Sequence, residues 1–345
     1  MSYRVLSCIP PQHRTEKDKL DWLYSTAKQH RPDLFVTPQE FLGGVYIMPG
    51  KKAYARDELL PKVLKLCKTF DMAMTFGVVE VEGGKNYERI WFLDPEKGLQ
   101  GHITKFALPR YDHVKAKGYG DITPETNFEN RFRVFTLKGA RVAGMFCWEV
   151  YSNILWTGLA LAQPDLVVSL IKFGSMAWPL IQNGPDGRKE ISGFGVASGH
   201  DNWIERLEVA SKWQVRCPIV VSTNSWDLPA RSQPCCGTVR GIVDEPTLYT
   251  PPKGRGTPKL AEPKVVVDEF DLNHIRGLRL NKFAYADLVG VFPPWKLVQY
   301  TMLLKVGRME REMIGDELIG QRRAGREGKL AKRVAKLPTE VREFF

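Results

Sequence analysis

The first half of the chain alternates short β-type runs with segments of helical spacing. That alternation limits the fold to strands laid side by side with helices packed over them. Tyr3 to Ile9 is a β-type run. Glu16 to His30 has helical spacing, with Leu20, Leu23 and Ala27 on one face. Asp33 to Thr37 is a buried strand. Asp57 to Phe70 is again helical, with Leu60, Val63, Leu64 and Cys67 as its apolar stripe. Met72 to Val81 and Tyr87 to Leu93 are strands joined through Gly83-Gly84, the pattern of a hairpin, and Asp94 to Gly98 has standard turn chemistry. Strands are expected at Arg131–Leu137, Arg141–Phe146, Leu166–Ile171, Pro218–Ser222, Arg240–Val243 and Lys264–Phe270, with a helix over Trp203–Val215. Tyr249 to Pro263, rich in Pro, Gly and Lys, reads as loop. Hairpins mixed with crossover helices predict an α/β sandwich of sheets covered by helices.

From Asp271 onward the pattern loosens. A short helix is expected within Asn273–Pro294 and another over Trp295–Leu318, where Gly307 and Gly315 weaken it. Residues 1–271 are therefore taken as the main domain and 272–345 as a helical C-terminal extension suited to oligomer contacts.

Composition removes several classes of function. The apolar stretch from Asn153 to Ile181 is broken by Gln163-Pro164-Asp165 and Lys172, so no segment is expected to span a membrane. Val5 to Ile9 is too short for the apolar part of a signal peptide. Six cysteines, at 8, 67, 147, 217, 235 and 236, form no Cys-x-x-Cys pair, and free thiols in a reducing cytoplasm are expected. No His/Cys/Asp cluster has metal-ligand spacing, so neither metal nor other cofactor is expected. The net charge of +11 invites a nucleic-acid reading, but acidic residues are interleaved with the basic ones from Lys305 onward. Mixed charge of that kind marks a solvated or subunit-facing helix, which argues against nucleic acid.

Three residues carry chemistry. Cys147 ends the apolar run Arg141-Val-Ala-Gly-Met-Phe-Cys147-Trp-Glu149, where a thiol is presented at the exit of a strand. A cysteine alone in such a run is more often a small core hydrophobe. Glu40 ends the strand before it in Pro38-Gln39-Glu40, and Lys105 follows a short β-type stretch in Gly101-His-Ile-Thr-Lys105-Phe-Ala-Leu-Pro109. Either one alone is an ordinary surface charge. The three at three strand exits call for a common explanation.

These segments resemble the nitrilase superfamily of carbon–nitrogen hydrolases. Pro32-Asp-Leu-Phe-Val-Thr-Pro-Gln-Glu40 is similar to its glutamate motif, Ile103-Thr-Lys105-Phe-Ala-Leu-Pro109 to its lysine motif, and Gly144-Met-Phe-Cys147-Trp-Glu149 to its cysteine motif. The resemblance covers residues 3 to 271. It implies a four-layer α-β-β-α sandwich, paired across a subunit interface as a homodimer or higher homo-oligomer. It also implies Cys147 as nucleophile and Glu40 as base. Lys105, with the backbone N–H of Trp148, would stabilise the tetrahedral intermediate on the way to a thioester.

The family also places a second glutamate between the lysine and the cysteine. Pro124-Glu125-Thr-Asn-Phe128-Glu-Asn130 resembles that pattern and makes Glu125 the candidate, with Asp121 and Asp112 as alternatives. Cys147-Trp148-Glu149 is similar to the nitrile-hydrolysing branch, although the residues after Glu149 do not continue its pattern. The expected substrate is a nitrile or an amide, with Tyr46, Trp148, Tyr151 and Trp178 as candidate pocket aromatics. Amidase or N-carbamoyl amidohydrolase activity is the first alternative. A non-catalytic protein- or nucleic-acid-binding module and a soluble amide transferase are the others. A cysteine-protease reading would need His113 or His200 as base.

Overall fold

The computed structural model describes residues 2–11, 15–43, 53–106, 122–171, 177–183, 189–196, 206–224, 236–239 and 263–282. Two sheets dominate it, and they share one plan. The first comprises β1 (Ser2–Ile9), β2 (Leu34–Val36), β3 (Ala73–Glu82), β4 (Lys85–Asp94), β5 (Gly98–Thr104) and the late strand β13 (Lys264–Asp271), in the order β13-β1-β2-β3-β4-β5. The second comprises β6 (Phe135–Leu137), β7 (Ala140–Phe146), β8 (Leu166–Ile171), β11 (Ile219–Thr223) and β12 (Cys236–Val239), in the order β12-β11-β8-β7-β6. In each, three central strands run parallel and antiparallel strands close the edges. β9 (Ala177–Asn183) and β10 (Lys189–Val196) form a separate antiparallel pair.

Parallel neighbours need crossovers, and the helices supply them. α1 (Glu16–His30) joins β1 to β2 and α2 (Arg56–Phe70) joins β2 to β3. α3 (Asn153–Ala162) joins β7 to β8. α1 begins where Thr15 accepts a hydrogen bond from the Asp18 N–H, and it ends at Arg31 in the left-handed conformation. The β3–β4 turn is a two-residue connection. Gly83 and Gly84 both take positive φ, 56° and 75°, as a hairpin turn of the primed type requires.

Side-chain alternation sorts the first sheet into two faces. Leu6, Cys8, Phe35, Met74, Phe76, Trp91 and Leu93 pack outward under α1 and α2. Val5, Leu34, Val36, Ile90, Phe92 and Ile103 face inward, onto β7, β8 and β11 of the second sheet. Leu155, Trp156 and Leu159 of α3 join that core, and so do Leu207 and Ala210 of the helical segment after residue 205. This is the layered α-β-β-α sandwich expected. Ser222 at the end of β11 fastens the sheets together, accepting from the Cys8 N–H and donating to the Val36 carbonyl.

The helix stripes and one strand differ from expectation. The inward stripe of α2 is Leu59, Val63, Leu66, Cys67 and Phe70, with Leu60 and Leu64 only at its margin; Leu20 of α1 is likewise marginal. Arg131–Leu137 is not one strand. Phe128–Phe132 forms a short 3₁₀ helix, started by the Asn127 side chain accepting from Glu129 N–H, and only Phe135–Leu137 pairs. A strand not anticipated lies at Cys236–Val239, and the strand expected at Arg240–Val243 lies outside the described residues. A helix, α4 (Leu272–Lys282), follows β13 directly. Residues 283–345, with the helix expected at Trp295–Leu318, lie outside the described residues, as do residues 249–262 of the expected loop. No helix among the described residues is long and apolar enough to cross a membrane.

Candidate active site

The chain leaves β2 by a bulge. Thr37 still pairs with Thr75, and Leu42 is back in register against Val78, so Pro38 to Phe41 must loop away from β3. Gly77 makes room for that loop: a Cβ there would lie 2.1 Å from the Pro38 carbonyl oxygen. At the apex Glu40 takes φ of 51°, a conformation that costs a non-glycine residue energy and is concentrated at functional sites. Gln39 and Glu40 are both buried. The Gln39 carbonyl is held by the Asn224 side-chain amide, from just beyond β11.

The adjacent side chains Gln39 and Glu40 have different neighbours. Gln39 Nε2 donates to Glu88 Oε2 at 2.5 Å. Glu40 exerts its charge on Lys19 of α1, on the helix side of the sheet. Lys19 is buried over the Phe41 ring and donates to the Phe41 carbonyl. Burial pulls the Lys19 ammonium down to about 8, and the Glu40 charge opposes that pull.

Lys105 follows β5 directly. Its N–H donates to the Glu88 carbonyl at 2.9 Å, so the two residues sit opposite one another at the end of the β4–β5 ladder. Cross-strand partners share a face. The Lys105 ammonium accordingly meets Glu88 Oε2 at 2.7 Å, with both side chains 1% exposed. Glu88 is thus the buried carboxylate against Lys105, and the sequence reasoning passed over it. Residues on both faces of β4 are apolar, so its periodicity does not mark Glu88 as inward. The available signal was the hairpin register, which sets a glutamate against Lys105.

Cys147 stands at the exit of β7, where the strand turns into the 3₁₀ helix Cys147–Tyr151. It is a partly buried thiol, in no disulfide, packed against the inter-sheet core. Glu149 fixes this elbow. One of its oxygens accepts from the Phe106 N–H at 2.6 Å. The other accepts from the Phe146 N–H at 3.1 Å and pairs with Arg131. A single buried carboxylate therefore ties the residue after Lys105 to the residue before Cys147. Tyr151 is close enough for Cys147 to act on it: burial first, then charge on Cys147, raise its phenol above the usual value.

Glu125 lies beside Lys105 through its backbone, its N–H donating to the Lys105 carbonyl at 2.9 Å. Its carboxylate caps its own loop, accepting from Thr126 N–H, Asn127 N–H and the Asn130 side chain. Trp148 is the second residue of the 3₁₀ helix. Asp112, Asp121, Tyr46, His113 and His200 lie outside the described residues. His102 faces away from Lys105, next to Arg56 and Arg89. Among the described residues no group of His, Cys, Asp and Glu is arranged to hold a metal ion.

A thiol at a strand exit, a buried lysine–carboxylate pair and a layered α-β-β-α fold occur together here. The family described as carbon–nitrogen hydrolase matches residues 17–191, just over half of the chain. The chain belongs to that family. No curated protein sequence matches it. The fold of this carbon–nitrogen hydrolase is similar to that of solved relatives. XC1258 from Xanthomonas campestris, described as a CN-hydrolase superfamily protein with an arsenic adduct in its active site, superposes with a TM-score of 0.59 at 13% identity, over 83% of this chain and 97% of the other. A carbon–nitrogen hydrolase from Helicobacter pylori G27 gives 0.59 at 11% identity, over 84% and 99%. Nit3 of Saccharomyces cerevisiae, a nitrilase superfamily member of branch 10, gives 0.55 at 11%, over 82% and 95%. Identities this low speak for the fold alone.

Proposed function

We propose that this protein hydrolyses a non-peptide carbon–nitrogen bond, of a nitrile or an amide, through a thioester on Cys147. The observation that carries the reading is the Glu149 carboxylate joining the Lys105 and Cys147 segments, which supports a site shared by a presented thiol and a buried ammonium. The reaction runs without a metal: a carboxylate takes the Cys147 proton, and the thiolate adds to the substrate carbon. Lys105 and the Trp148 N–H hold the charge that develops on the substrate heteroatom. With an amide, the protonated carboxyl returns its proton to the departing nitrogen, which leaves as ammonia; a nitrile first gives a thioimidate, to which one water adds before ammonia leaves and the thioester remains. The same carboxylate then takes a proton from water as the resulting hydroxide cleaves the thioester, and a final proton transfer restores the thiol. Glu40 and Glu88 are the two buried carboxylates for that role, and Glu125 is the further acidic residue beside Lys105.

Ammonia release from a panel of nitriles, primary amides and N-carbamoyl compounds tests the reading. Cys147→Ala is expected to abolish turnover while leaving the thermal melt near that of the native protein. Ammonia release that survives in Cys147→Ala rejects the mechanism. Product analysis, acid against amide, separates complete hydrolysis from hydration.

A further inference from the structure

We propose that Glu88, not Glu40, is the carboxylate that exchanges protons with Cys147 and keeps Lys105 charged. The inference deepens the hydrolase reading above and rests on it.

The argument is one of register. On the inner face of the first sheet, β4 and β5 present Ile90 beside Ile103, and next along the ladder Glu88 beside Lys105. β7 lies across this face. A Cβ on Gly144 would come within 2.6 Å of Ile103, 3.0 Å of Phe92 and 3.1 Å of Ile90, so the strands approach closely at this glycine. The direction of travel is fixed at the other end. Phe92 stacks on Phe135, and Phe135 pairs with Val142, earlier in β7. Moving from Phe92 through Ile90 to Glu88 therefore follows β7 from Val142 through Gly144 towards Phe146 and Cys147. The Phe106 to Glu149 bond, one residue beyond Lys105 and two beyond Cys147, closes the same end. Glu88 thus faces the end of β7 that carries the thiol. Its carboxylate is held by two side chains, Lys105 at 2.7 Å and Gln39 at 2.5 Å. Glu40, one residue from Gln39, acts electrostatically on Lys19 of α1. The bulge over Gly77 separates the two: it turns Gln39 to the thiol side of the sheet and leaves Glu40 at its apex.

Charge gives the test its sign. Removing Glu88 takes a negative charge from the site, which favours the Cys147 thiolate. Removing Lys105 takes a positive charge from it, which disfavours the thiolate. The experiment measures the pH midpoint of iodoacetamide alkylation at Cys147 by peptide mass spectrometry, alongside ammonia release. It uses the full-length native protein and its Glu88→Gln, Lys105→Met and Glu40→Gln variants. Cys8, Cys67, Cys217 and Cys236 are buried, and the peptide readout separates Cys147 from every other thiol. The midpoint is expected to fall in Glu88→Gln and to rise in Lys105→Met. Ammonia release in Glu88→Gln should drop about 10²- to 10⁴-fold, the usual worth of a general base, even though more thiolate is present. In Glu40→Gln the midpoint should move less than in Glu88→Gln. A midpoint unmoved in Glu88→Gln, or moved as far in Glu40→Gln, overturns the proposal. Should Glu88→Gln fail to fold, Glu88→Asp serves: the native midpoint with reduced ammonia release supports the proposal, and native turnover rejects it. If the native protein releases no ammonia from any compound, the hydrolase reading fails, and the alkylation midpoints still decide whether Glu88 is coupled to the thiol.

Discussion

Arg131–Glu149 and Lys105–Glu88 are both buried ion pairs close to Cys147 in the chain or the fold, yet their carboxylates are occupied differently. Glu149 spends its oxygens on two main-chain N–H groups, at Phe106 and Phe146, as well as on Arg131. Glu88 is held by two side chains, Lys105 and Gln39. A carboxylate bonded to backbone from two segments sets where those segments run. A carboxylate bonded to side chains can gain or lose a proton with little movement of the chain. The first pair is the scaffold of the elbow, and the second is the part of it fit for chemistry.

The sharpest way to break that contrast is at Glu149. Glu149→Gln removes the charge that compensates buried Arg131, and breaking a buried pair from one side costs about 3–5 kcal/mol. Urea denaturation should show this as a lower midpoint. The Arg131→Met, Glu149→Gln double variant should recover part of the loss, because no uncompensated charge remains. If Glu149→Gln is as stable as the native protein and only turnover suffers, the assignment of Glu149 to the scaffold is wrong.

A second test acts on the other pair without touching a charge. Gly77→Ala would place a methyl 2.1 Å from the Pro38 carbonyl, and the obstacle is main chain, so the bulge itself must shift. Overpacking of this kind costs about 1–3 kcal/mol. It should also pull Gln39 from Glu88 and lower ammonia release beyond what the stability loss explains. Gly144→Ala meets mainly the ends of flexible side chains, at Ile103 and Ile90, and is expected to cost less. Equal losses in the two variants would show that the bulge is not a special support for the site.

Much of the scaffold was legible because it repeats. The span of α1 follows from its 3.6-residue spacing, and the β3–β4 hairpin follows from two adjacent glycines where a two-residue turn needs positive φ. The strand exit at Cys147 was legible because an apolar run stops there. The carboxylate beside Lys105 was not. Trp91 and Leu93 pack under the helices while Ile90 and Phe92 face the second sheet, so β4 carries no polar face by which Glu88 could be assigned a side. Gln39 was hidden for another reason. A bulge breaks the alternation of a strand, so the side that each of Gln39 and Glu40 takes depends on Gly77, in a different strand. The 3₁₀ helix Phe128–Phe132 escaped because its determinants are distant. Arg131 turns inward to Glu149, and the Phe132 ring occupies the space where Gly158 of α3 lacks a side chain.

The outer face of the same two strands offers the smallest and most local test. There Glu80 pairs with Arg56 and Arg89 and accepts from the Trp91 indole, and His102 lies next to the two arginines. Burial, then the charges of Arg89 and Arg56, hold the His102 imidazole down to about 4, against 6.5 for an ordinary histidine. In the unfolded chain His102 takes up its proton near pH 6.5, and in the folded protein only near 4. Between those values the unfolded state binds more protons, so stability falls as pH drops through the window and is level above it. β5 is an edge strand and His102 is partly exposed, so solvent screening reduces the effect to on the order of 1–2 kcal/mol. Urea midpoints at pH 7.5 and 4.5 should differ less in His102→Gln than in the native protein, since the substitution removes this titration and leaves the carboxylates in place. An identical pH difference in the two proteins would mean that His102 charges as readily folded as unfolded. The ionic cluster on the outer face would then be open to solvent, in contrast to the closed pair around Lys105.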